Sequence, residues 1–112
     1  MAFSMNTIYL LCNNLLDSSR IKESLIGKNV IILRNLDKLK SIEVLENDTV
    51  LIDYHFYENG NIKDLLDLTS NCKNIISFVP HEKIDALKSE NLNVFFVARS
   101  VFFKNILKYI VI

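Results

Sequence analysis

Residues 49–54 read Thr49-Val50-Leu51-Ile52-Asp53-Tyr54, a short apolar run closed by a carboxylate. An uninterrupted apolar run, rather than an alternating one, is what a parallel strand covered on both faces looks like. Four further runs share that character: Ile8-Tyr9-Leu10-Leu11, Val30-Ile31-Ile32-Leu33, Asn74-Ile75-Ile76-Ser77-Phe78-Val79 (stopped by Pro80) and Val94-Phe95-Phe96-Val97. Amphipathic stretches separate them. A helix is predicted over 17–26, with Asp17 or Ser18 as N-cap and Gly27 just past its end. Leu36, Leu39, Ile42 and Leu45 recur at intervals of three and predict a helix ending near Asn47-Asp48. The polar loop through Glu58-Asn59-Gly60-Asn61 leads to a helix whose apolar face is Ile62, Leu65, Leu66 and Thr69. Ile84 and Leu87 mark a short helix, and Val101–Ile112 reads as a last helix, apolar over much of its surface. Five β-α units in this length predict an α/β protein with an open, doubly wound, five-stranded parallel sheet.

The chain has 112 residues, which fits one domain of the usual 100–150 or so. Half of it is apolar; 13 basic residues balance 13 acidic ones, so the formal net charge is zero. That balance removes the general attraction to phosphate backbones, and direct nucleic-acid binding is not expected. Nor is a polybasic membrane patch present, and no apolar stretch approaches the ~20 residues of a transmembrane helix. Two glycines and one proline leave little room for linkers. Cys12 and Cys72 are too few for a disulfide scaffold or a four-ligand zinc site. Met1-Ala2-Phe3-Ser4-Met5 lacks the basic start and apolar run of a secretory signal; it reads as a leader or added remnant, with the true start near Met5. These features predict a soluble, cytoplasmic domain, 1–112, that could head a longer regulator.

Functional residues of such sheets gather beyond the carboxyl ends of the strands. Those ends are Cys12-Asn13-Asn14, Arg34-Asn35, Asp53-Tyr54-His55, Val79-Pro80-His81 and Ala98-Arg99-Ser100. A lone aspartate there is most often a loop cap or an Asx turn. Asp53 stands out through what surrounds it.

From about residue 6 to its end, the chain resembles the receiver domain of two-component response regulators. Val50-Leu51-Ile52-Asp53-Tyr54 is similar to that family's third strand with its phospho-acceptor aspartate, and Gly60 lies where the following loop has its glycine. Phe96-Val97-Ala98-Arg99-Ser100-Val101 is similar to the family's fifth strand and the start of its last helix. Phe96 falls on the aromatic switch position, Arg99 on the lysine and Ser100 on the proline after it. The resemblance implies a flavodoxin-like sheet of order 2-1-3-4-5, with Asp53 as the acceptor position.

The chain departs from the pattern where receivers hold Mg²⁺, a hard cation that wants carboxylate oxygens. Cys12 and Asn13 occupy the two acidic-pocket positions, Val79 the switch Ser/Thr position, and a longer, forked Arg99 the lysine position. The expectation is therefore a non-enzymatic pseudo-receiver, a signal-transduction module whose Asp53 is vestigial. It would need no metal or cofactor and work through a protein partner or a homodimer. The alternative is a working phospho-acceptor on Asp53, which would need Mg²⁺.

Other constellations are weaker. Cys12 followed by Ser18-Ser19 is similar to the phosphocysteine loop of phosphotransferase-system B components, but Leu15 stands where the loop glycine would be. Ser18 stands where tyrosine phosphatases need an arginine. Cys12, Asp53, His55 and His81 have no metal-ligand spacing, and a flavin loop, a Walker motif and a dinucleotide fingerprint are absent. Lys38/Lys40 and Lys104/Lys108 are solvated pairs. Phe102-Phe103, Ile106-Leu107 and Ile110-Val111-Ile112 exceed the stripe of roughly 100° that one sheet face absorbs. Phe102, Phe103, Ile106 and Tyr109 are accordingly candidate interface residues.

Overall fold

The sheet is built around β3 (Thr49–Asp53), every residue of which is buried. β1 (Thr7–Leu11) and β4 (Asn74–Val79) flank it, and β2 (Asn29–Leu33) and β5 (Phe95–Ala98) are the edges. All four pairings are parallel, in the order β2-β1-β3-β4-β5. The doubly wound sheet predicted from the apolar runs is the architecture found. The structure, a computed structural model, describes residues 6–58, 60 and 62–110. Met1–Met5, Asn59, Asn61, Val111 and Ile112 lie outside the described residues, and with them the reading of a leader.

Strand alternation divides the core into two layers. One face presents Tyr9, Leu11, Val50, Ile52, Ile75 and Phe96 to α2 (Leu36–Lys40), α3 (Ile62–Leu68) and α4 (Ile84–Lys88). The other presents Ile8, Leu10, Leu51, Ile76, Phe78 and Val97 to α1 (Leu15–Ser24), α5 (Arg99–Lys104) and α6 (Ile106–Tyr109). Central strands buried on both sides explain the unbroken runs. β2 instead alternates towards exposure, because an edge strand is only half covered.

Three helices depart from expectation. α1 begins at Leu15, not Asp17, because Asn14 is the cap and its side chain accepts a hydrogen bond from the Asp17 amide. The chain turns after α1 through Gly27, whose φ of +86° suits glycine.

α2 stops at Lys40. Spacing by three advances about 300° per step on a helix of 3.6 residues per turn. Leu45 would thus face roughly opposite to Leu36; it is exposed outside the helix, while Val44 enters the core. The last helix begins at Arg99 and is broken at Asn105 (φ −142°, ψ 50°). The break seats both Phe102 and Ile106 in the core.

Candidate functional site

The carboxyl ends of β1, β3 and β5 converge on Asp53. Asp53 is 3% exposed, and an ionised group at that depth needs partners. Oδ1 accepts a hydrogen bond from the His55 amide at 3.3 Å, so Asp53 caps the single 3-10 turn Tyr54–Phe56. Oδ2 accepts from the Cys12 thiol at 3.6 Å. The cation is Arg99, whose Nη1 lies 3.8 Å from Oδ1.

Arg99 serves a second acid. Its Nη2 makes a close, hydrogen-bonded ion pair with Asp17 of α1, itself buried. The guanidinium therefore bridges two carboxylates, Asp17 and Asp53, that come from different elements of the fold. Aromatic rings fix it further: Arg99 lies over Phe103 at 4.9 Å and Phe78 at 5.8 Å, and Arg20 covers Phe103 at 4.5 Å. A planar cation pinned by ring faces is pre-organised for carboxylates in a way that a lysine is not.

Burial pushes the Cys12 thiol up to about 11, and the charge of Asp53 adds to the rise. Cys12 is thus a protonated donor, poorly suited to be a nucleophile or phosphoryl carrier at neutral pH. Arg34 closes the same region from the β2 side. Its Nη1 donates to the Cys12 carbonyl at 3.0 Å and to the Ser18 hydroxyl at 3.1 Å.

The remaining candidates scatter. Asn13 is exposed. Val79 is fully buried, and Phe96 packs in the layer of α2, α3 and α4. His55 pairs with Glu58 at the surface, and His81 starts a separate 3-10 turn. Among the described residues, no three His, Cys, Asp or Glu side chains group to hold a metal ion. Mg²⁺ does not fit the residues around Asp53, where a thiol and a guanidinium face the carboxylate and no second acid is free of Arg99.

No family model, curated protein or solved structure matches this chain. What the site does must be read from its own geometry.

Two of the four aromatic and aliphatic residues expected at an interface are internal. Phe102 stacks on Phe78 at 4.8 Å, and Ile106 is buried, so neither is available to a partner. Phe103 and Tyr109 pack against Phe102 and keep only part of their surface outside. Among the described residues of the same segment, Val101 and Leu107 are the exposed apolar side chains, and Phe95 is exposed on β5. No helix of the described residues is long and apolar enough to cross a membrane.

Asp17 is the site residue that sequence reasoning missed. Asn14-Leu15-Leu16-Asp17 has the spacing of a capping box, which puts the acid inside the first helical turn. Reading Asp17 as the cap itself concealed it as a partner for Arg99.

Proposed function

We propose that this protein is a receiver-like regulatory module of the cytoplasm that acts by protein contact and does not undergo Mg²⁺-dependent aspartyl phosphorylation. The observation that carries the reading is Arg99 held between Asp17 and Asp53. A phosphoryl acceptor must expose an oxygen and share its site with a divalent cation that neutralises the incoming charge. Here a fixed monovalent cation from the chain itself neutralises the acids, and the Cys12 thiol covers the other oxygen. The module is held in one state by internal charges instead of switched by a phosphoryl group. Its partner is a protein or a second copy, met across the last two helices, where Val101 and Leu107 are exposed.

Titration of Mg²⁺ with beryllofluoride, followed by amide NMR shifts, tests the closed site. The expected result is no saturable change at Asp53 or Arg99. Tight binding that disappears in Asp53→Asn would instead establish the phospho-acceptor alternative. Sedimentation equilibrium over a concentration series tests self-contact: a dimer should weaken in Leu107→Glu, whereas a strict monomer leaves only a different protein as partner.

A further inference from the structure

We propose that the cavity between the amino ends of β4 and β5 and helix α6 binds a small planar aromatic molecule carrying one negative group, a carboxylate or a phosphate ester. The cavity has a volume of about 520 Å³, inside the roughly 300–1,000 Å³ of small-molecule sites. It lies at the opposite end of the sheet from Asp53 and does not rest on the function proposed above.

Its charge is one-sided. The chain as a whole is neutral, yet the lining contains Lys73 and Lys108 and no aspartate or glutamate. Lys73 shares its charge with Glu46 outside the cavity, while Lys108 makes no ion pair among the described residues. An anion at the rim therefore meets one free ammonium group and one that is partly neutralised.

The wall supplies a flat apolar face. Phe95 is 53% exposed although it opens a strand. Its ring lies 5.9 Å from that of Tyr109, with the planes tilted by 32°. Offset or tilted ring packing is the geometry that aromatic groups favour, so a planar ligand can extend the pair and cover Phe95.

One lining residue carries a polar group without a partner among the described residues. Parallel register sets Thr49 beside Asn74, and both residues line the cavity. The Thr49 hydroxyl is buried and makes no hydrogen bond among the described residues. The hydroxyl has no existing hydrogen bond to give up, so a ligand oxygen that reaches it gains a partner without exchange. A buried hydroxyl left unpaired costs free energy that such a bond would recover. Ring face, ammonium rim and recruitable hydroxyl together select an aromatic anion over a neutral ring or a bare inorganic ion.

The test is an amide NMR titration of the full chain with four probes: 2-naphthoate, phenyl phosphate, the neutral 2-naphthylmethanol and inorganic phosphate. We expect saturable shifts centred on Thr49, Asn74, Phe95 and Tyr109 with one or both aromatic anions, which also decides between carboxylate and phosphate. The alcohol and inorganic phosphate should bind more weakly. Lys108 is exposed, and Lys108→Ala should weaken the anion by about two- to fivefold. Thr49→Val, which keeps the shape, should weaken it by about fivefold while the protein stays folded. No saturable shift at millimolar probe, shifts that map elsewhere, or an alcohol that binds as well as the anions would overturn the proposal. So would undiminished anion binding by Lys108→Ala.

Discussion

Two buried aspartates bracket the central strand, and they are held in different ways. Asp48, before β3, receives the Thr7 amide on Oδ1 and the Leu45 amide on Oδ2, each at 2.9 Å. Asp53, at the other end, has one backbone donor, and its charge is answered by the side chains of Arg99 and Cys12. Backbone donors come with the fold and tie segments together, so Asp48 is a joint between the start of β1 and the turn before β3. Side-chain donors can be rearranged without unfolding the sheet. The contrast separates an acid tied into the backbone of the fold from one held chiefly by side chains.

The sharpest way to break the comparison is to remove the joint. Asp48→Ala should cost about 3–4 kcal/mol, because two hydrogen bonds to a charged acceptor are lost and two amides are left unpaired. Asp48→Asn, which keeps one oxygen, should cost about half of that in urea unfolding. At the other end, Arg99→Ala leaves two acids without their cation. Arg99 is itself about a third exposed, so water can re-enter, and the expected cost is about 2–3 kcal/mol instead of the roughly 3–5 for a sealed pair. The fold should survive. If Arg99→Ala proves more damaging than Asp48→Ala, the division between joint and adjustable site is wrong.

Cys12 offers a test by pH. Its folded value of about 11 lies above the ordinary thiol value of 9.0. Between those values the unfolded chain releases a proton that the native state keeps, so the stabilisation is complete below pH 9 and is lost as pH rises towards 11. The difference in stability between wild type and Cys12→Ala should fall by about 2 kcal/mol across that window. Iodoacetamide should label Cys12 slowly at neutral pH. Fast labelling would mean that the thiol is open and the carboxylate uncovered.

The smallest effect concerns hydroxyls. Ser77 is fully buried and satisfied, donating to the Ile52 carbonyl at 3.0 Å and sharing a 2.8 Å hydrogen bond with Tyr57. Thr49 is buried without a partner among the described residues. In the ligand-free protein Thr49→Val should therefore stabilise by about 1 kcal/mol, and Ser77→Ala should destabilise by a similar amount. Opposite signs in thermal unfolding would confirm that satisfaction, and not burial alone, distinguishes the two positions.

Composition and pattern were enough for the sheet. Runs such as Val50-Leu51-Ile52 and Ile75-Ile76 carry their fold class locally, because a strand covered on both faces has to be apolar at consecutive positions. Alternation of such runs with amphipathic stretches points to parallel pairing, whereas the order β2-β1-β3-β4-β5, which the structure shows, was implied by the receiver resemblance and not by the runs themselves. Asp53 was legible as a strand-end carboxylate for the same reason. Helix limits were less so: intervals of three in 36–45 look helical one step at a time but drift off a single face, and Asn105 divides a segment whose apolar content reads as continuous.

Tertiary structure alone decided who meets whom at the strand ends. Asp17 and Arg99 stand 82 positions apart in the chain, and no local pattern at either predicts that α1 and α5 bring them together beside Asp53. It also decided that Phe102 and Ile106 are core while Val101 and Leu107 are surface, since facing depends on where a broken helix is docked. The sequence determines the strands because each residue's environment repeats along its neighbours. Site chemistry and exposed surface belong to groups that only packing makes adjacent.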